Sequence, residues 1–270
     1  MTAKKTEAAY KLWRDGRKLL PITSQANFAK SLKMMEEAIG LDDEFGRAYS
    51  RKSYLYVTGV IDGWNFEPGK TDEWKLREAL TLAKKAVKLA PNDYDTHWAL
   101  AFAHLNREDG KQDATREYKE ALVRNDGNRN LLAEMADALV YAGKTDDAIE
   151  MLMRARRIPD WHRWVLAWAY YFKGKKDKQY YGLARDELHK MVTPRDDPRF
   201  SSEIMLLSAA LYVRTNKLAR AKEEIQWLQQ RRKKVGLTPW TIEKERKRGS
   251  AIGKMNETHW LGALSDAGLP

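Results

Sequence analysis

The residues of this 270-residue chain that could do chemistry are few and scattered. His97 and His104 are seven apart, close enough to share a helix face, but no third ligand or HExxH pairing accompanies them. Both are expected to pack between helices. His162, His189 and His259 stand alone. Acidic pairs such as Asp42 with Asp43, or Asp146 with Asp147, fall at helix starts or before the next helix, where carboxylates cap amides and favour the dipole. The absence of cysteine removes thiol nucleophiles, thiolate zinc sites and disulfides together. No Gly-rich phosphate loop and no GxSxG elbow occurs. The expectation is therefore no enzyme, no cofactor and no metal, which leaves non-covalent chemistry. Its densest source is "DWHRWVLAWAYYF", Asp160 to Phe172, with three tryptophans, two tyrosines and a phenylalanine. At about 100° per helical residue, Trp161, Trp164, Trp168 and Tyr171 share an arc of roughly 80°, with Leu166, Ala167 and Tyr170 opposite. Such a helix has two apolar faces. One suffices for packing within a domain, so the second is offered to something else or buried too.

The elements that carry these residues repeat. "ALTLAKKAVKLAPNDYDTHWALAFAH", "ATREYKEALVRNDGNRNLLAEMADAL" and "AIEMLMRARRIPDWHRWVLAWAYY" superpose: Ala79, Ala114 and Ala148 are 35 and 34 apart, as are Ala86, Ala121 and Ala155. A period near 34 means paired helices. Small residues let two antiparallel helices approach, and Leu100, Met135 and Leu166, faced by Tyr118 and Leu152, fill the space between them. "PND", "NDGN", "AGKTDD" and "KGKKD" supply the turns. The pattern extends to Ala38 on one side and to Ala209 and Ala221 on the other, with about 14 extra residues near "TGVIDGWNFEPGKTD", Thr58 to Asp72.

These residues resemble the tetratricopeptide repeat family from about Ala8 to Leu228. "AAYKLWRDGRKLL", "PDWHRWVLAWAYYFKG" and "MNETHWLGALSDAGLP" are further similar to the repeat region that follows class III adenylate cyclase domains in bacterial proteins, although no cyclase domain is present. The resemblance implies an all-α, right-handed superhelical solenoid and a bacterial interaction module. Residues 1–237 are expected to form five to six helix pairs, with an insertion near 58–72. Residues 238–270 are expected to form a basic linker and a capping segment, because a solenoid end exposes an apolar face and "ETHWLGALSDAGL" is amphipathic.

A helix-pair solenoid binds along the surface lined by its first helices. The repeat register places Arg47, Arg51 and Tyr54, then Trp98 and Phe102, then Glu134, Asp137 and Tyr141, then Trp161, Trp164, Trp168 and Tyr171 along that groove. Aromatic anchors are the residue types that carry interface energy, so the groove is expected to hold a protein or peptide segment. A small-molecule receptor using the tryptophans as a stacking box is an alternative. The chain's own C-terminal segment, with Trp227, Trp240 and Trp260, or a second copy in self-association, could also fill the groove.

The net charge of +11 concentrates at Arg231, Arg232, Lys233, Lys234, Lys244, Arg246, Lys247 and Arg248. A basic patch of this kind could bind nucleic acid, with strong salt dependence, but no base-reading motif accompanies it. The solvated end of a helix explains it more simply. No apolar run approaches the roughly 18 residues of a membrane span, and the N-terminus lacks a secretory signal's apolar stretch. The expected location is cytoplasmic, or periplasmic if a signal has been removed.

Overall fold

The computed structural model describes residues 3–19, 24–107, 110–154, 163–191, 202–249 and 257–270. Among these residues there are fourteen helices and no strand. They divide between two compact units, one of residues 1–127 with 235–237, the other of residues 128–234 with 238–270.

Unit 1 holds α1 (Ala3–Arg17), α2 (Gln25–Leu41), α3 (Gly46–Asp62), α4 (Asp72–Leu89), α5 (Tyr94–Leu105) and α6 (Lys111–Arg124). Each odd helix pairs with the even helix that follows, and α1, α3 and α5 also pack on one another in sequence. The alanine schedule is the cause. Ala79, Ala83 and Ala86 of α4 and Ala114 and Ala121 of α6 have no exposed surface, so the helices meet closely enough for the Ser53 hydroxyl to donate to the Ala79 carbonyl at 2.8 Å. Tyr118 of α6 is fully buried, as its register predicts. Helix starts follow their caps: Ser24 Oγ accepts from the Asn27 amide at 3.2 Å and Thr71 Oγ1 from the Trp74 amide at 3.2 Å. The His97 ring lies 2.8 Å from Glu117 of α6 and 2.9 Å from the Pro91 carbonyl, tying the third pair together.

The inserted segment is shorter as a loop than expected, because α3 runs on through Thr58 to Asp62 before Gly63 ends it at φ +80°. Trp64 and Phe66 then turn inward and pack on Phe28, with ring centroids 6.3 and 5.3 Å away. Gly59 permits this: a Cβ there would lie 2.5 Å from the Phe66 ring and 2.8 Å from the Phe28 ring. The loop is therefore part of the unit's core and not a surface appendage.

Unit 2 holds α7 (Arg129–Tyr141), α8 (Thr145–Arg154), α9 (Arg163–Lys173), α10 (Gln179–His189), α11 (Ser202–Arg214), α12 (Leu218–Lys234), α13 (Ile242–Gly249) and α14 (Glu257–Asp266). The first six form three pairs, with Ala148, Ala184 and Ala221 buried at the approaches and Leu152 filling the first. The C-terminal segment from Thr238 onward belongs to this unit. Trp240 is buried, and the Gln229 side chain brackets its backbone, donating to the Trp240 carbonyl at 2.7 Å and accepting from its amide at 2.9 Å. Glu245, with no exposed surface, accepts from the Trp240 indole at 3.1 Å and from the Trp260 indole at 2.8 Å. One buried carboxylate thus fastens α13 and α14, which the sequence had suggested were linker and cap.

Candidate functional site

In unit 1 the faces of α3 and α5 bring together five of the expected groove residues. Tyr54 stacks on Trp98 at 5.0 Å and on Phe102 at 5.3 Å between ring centroids, and Trp98 and Phe102 are nearly parallel, 6.2 Å apart. All three are half-buried, so each presents an edge or face outward. The i, i+4 spacing of Trp98 and Phe102 aligns them on α5, and the stagger of α3 beside α5 sets Tyr54 against both.

Arg51, one turn before Tyr54, has its guanidinium 4.4 Å from that ring. It is only 4% exposed, and its Nε and Nη2 atoms have no hydrogen-bond partner. Burial pushes it down to about 10, with nearby Arg17 adding to the effect. A buried cation with unmet donors is costly, since the cation–π contact and the more distant Asp95 replace only part of its hydration. Arg47, by contrast, is paired: its side chain donates to Asp93, which raises it further. Asp95 sits among Arg17, at 3.6 Å, and Asp93, and burial pushes its carboxyl up.

Residues outside the expected set extend this face. Trp13 of α1 lies under the guanidinium groups of Arg17 and Arg47, 4.9 and 5.3 Å from the ring centre, and its ring packs edge-on to Phe45. The available signal was the one-turn spacing of Trp13 and Arg17 on a first helix. The carboxylates Asp93 and Asp95 read as capping residues, and Asp93 does accept from the Asp95 amide at 3.1 Å, but both also hold arginines of this face.

In unit 2 the tryptophan helix answers differently. Leu166 and Ala167 are buried and Tyr170 packs on Tyr180, as the register implies. Trp168 and Tyr171, expected on an open groove, are 3% and 0% exposed. The Trp260 ring stands edge-on to both, at 4.5 and 5.4 Å, and the Tyr171 hydroxyl donates to the His259 carbonyl at 3.0 Å. That carbonyl also accepts from Arg214. Helix α14 thus lies over the face of α9 and against α11. The physical reason is area: Trp260, Leu261 and Leu264 on one stripe of α14 match the aromatic face and remove both surfaces from water. Trp164 and Tyr141 remain half-buried, with Tyr141 6.4 Å from Trp168. Glu134 is half-buried and Asp137 buried on α7. Trp161 lies outside the described residues.

The basic stretch is partly structural. Arg232, 2% exposed, donates to the Thr238 carbonyl at 2.7 Å and stacks over Trp240 at 4.8 Å, with the Lys244 ammonium 4.7 Å from the same ring. Arg231 lies over Trp227 and Arg246 pairs with Glu243 at 2.9 Å. Lys233 and Lys234 are exposed. The side chains of Lys247 and Arg248 lie outside the described residues. Among the described residues no cluster of three potential metal ligands occurs, and no helix is long and apolar enough to cross a membrane.

No protein-family model and no curated protein matches the chain. Solved structures do. The chain is similar to pilF of Pseudomonas aeruginosa at 14% identity, over 90% of this chain and 97% of that one, with a TM-score of 0.53. It also aligns with a tetratricopeptide repeat protein of Parabacteroides merdae at 13% identity, over 97% and 92% of the two chains, TM-score 0.48. A third alignment, with the O-GlcNAc transferase of Thermobaculum terrenum, reaches 14% identity over 57% of this chain and only 27% of that one, TM-score 0.43. At such identities the likeness bears on fold alone. Helices paired at a 34-residue step, with alanines at each close approach, give the chain the tetratricopeptide-repeat fold, an all-α solenoid of helix pairs.

Proposed function

We propose that the protein is a non-catalytic interaction scaffold that holds a protein or peptide segment on the first-helix face of unit 1. One observation carries this reading: the half-buried stack of Tyr54, Trp98 and Phe102 stands beside the Arg51 guanidinium, whose Nε and Nη2 have no hydrogen-bond partner. Rigid aromatic rings lose little conformational freedom on binding and supply apolar area, so two or three of them typically contribute about 2 kcal/mol or more each at an interface. The guanidinium adds direction through its charge, which attracts an acidic group of the ligand to this end of the stack. The resemblance of the sequence to repeat regions of bacterial signalling proteins supports a setting in which such a segment belongs to another protein of the same cell.

The test is a selection of random peptides on the immobilised full-length chain, followed by affinity measurement of the enriched sequences against wild type and a Trp98→Ala, Phe102→Ala variant. Both side chains are half-exposed, so the variant should keep its helical content. Enriched peptides should bind the variant at least about tenfold more weakly, a loss of about 1.4 kcal/mol. Equal affinity for both proteins would remove this face from consideration.

A further inference from the structure

A second site lies in unit 2 and shares no lining residue with the face under α14. The C-terminal turns of α10 and α11 and the first turn of α12 line an open depression of about 610 Å³. Arg185 and His189, one turn apart on α10, form one wall, Tyr212 of α11 another, and Asn216, Lys217 and Arg220 the rim. Among the described residues no carboxylate lines it.

Two guanidinium groups and an ammonium line it, with little among the described residues to neutralise them. Lys217 and Arg220 have no ion pair among the described residues. Among the described residues Arg185 meets one carboxylate edge-on, with Nη2 3.4 Å from the solvent-exposed Asp186, and its Nε has no hydrogen-bond partner there. The turn is fixed by the Lys217 amide donating to the Tyr212 carbonyl at 2.8 Å, which sets Lys217 at the start of α12, and the first turn of α12 has no acidic residue. Like charges gathered around a concave wall raise the local potential and attract an anion. Guanidinium groups offer phosphate oxygens paired donors, and the start of α12 points its amide dipoles the same way.

We infer that this depression binds a small molecule bearing a phosphate or pyrophosphate group. The volume is within the roughly 300–1,000 Å³ typical of small-molecule sites. Arg185, Lys217 and Arg220 grip the phosphate oxygens, and the half-buried Tyr212 ring forms the wall against which the organic part rests. This assignment is independent of the unit 1 face.

Calorimetric titration of the full-length protein at about 0.15 M salt with inorganic phosphate, inorganic pyrophosphate and ADP tests it. The comparison protein is a Lys217→Gln, Arg220→Gln double variant, whose altered side chains are exposed and leave the helix contacts intact. A Lys233→Gln, Lys234→Gln variant serves as the control for general surface charge. Pyrophosphate or ADP should bind wild type and control alike, and the Lys217/Arg220 variant at least about tenfold more weakly. ADP binding more tightly than pyrophosphate would assign Tyr212 to the organic part. No binding of any probe to wild type overturns the inference. Equal binding by all three proteins also overturns it, as does loss in the control as large as that in the Lys217/Arg220 variant.

Discussion

Arg51 concentrates the tension of unit 1 in one side chain. Its neighbours on the same face resolve their charges, Arg47 with Asp93 and Arg17 with Asp95, whereas two nitrogens of Arg51 stay buried and unmet. A protein tolerates such a residue when it serves binding and not folding. Arg51→Met fills a similar volume without the charge. The variant is expected to resist urea better than wild type, by about 1–3 kcal/mol, while losing affinity for any peptide selected on this face. A fall in the urea midpoint would instead make the guanidinium a structural partner of the Tyr54 ring. The sequence identified the position, since Arg51 falls on the inward register of a first helix. It could not show the unmet nitrogens, because a lone arginine in a polar stretch looks like any solvated cation.

At the scale of elements, α14 decides what the tryptophan helix is for. The repeat register assigned Trp168 and Tyr171 to an open groove, whereas that face of α9 is the seat of another helix. Nothing local in "MNETHWLGALSDAGLP" distinguishes an end cap from a helix that lies across earlier first helices. Both need the same amphipathic stripe. The seating is sensitive to acid through His259, half-buried between Tyr171 and Tyr181, its Nε2 3.3 Å from the Tyr181 hydroxyl. Burial first, then the nearby Arg214 and Lys175 charges, push it down from 6.5 to about 4, against a smaller opposing hydrogen bond. The unfolded segment therefore binds a proton that the docked helix refuses, and stability contributed here is complete above about pH 6.5 and is lost as pH falls towards about 4. Hydrogen exchange of the α14 amides, corrected for intrinsic rates, should show protection declining through that window in wild type and a flatter profile in His259→Phe. Identical profiles would free His259 from this role.

The whole molecule is a run of similar pairs divided into two compact units, each with its own buried alanines and aromatic filling. Near-neighbour contacts dominate such an architecture, so damage should stay where it is made. Leu152→Ala, at a side chain without exposed surface in unit 2, should cost about 2–5 kcal/mol and lower amide protection across α7 to α12 far more than across α1 to α6. A uniform fall would show instead that the chain opens as one. The sequence by itself determined the helix pairs, their 34-residue step, the packing of Tyr118 and Leu152 and the faces on which Trp98, Phe102 and Trp168 stand. All of these follow from helical periodicity and residue size within a few turns of chain. Only the tertiary structure decided that Trp64 and Phe66 enter the core, that Glu245 joins Trp240 to Trp260, that α14 covers Trp168 and Tyr171, and that two nitrogens of Arg51 are buried without a hydrogen bond. Each of those depends on shape and charge matched between residues distant in the chain, or on a match that fails to form, and a repeat pattern carries no record of either.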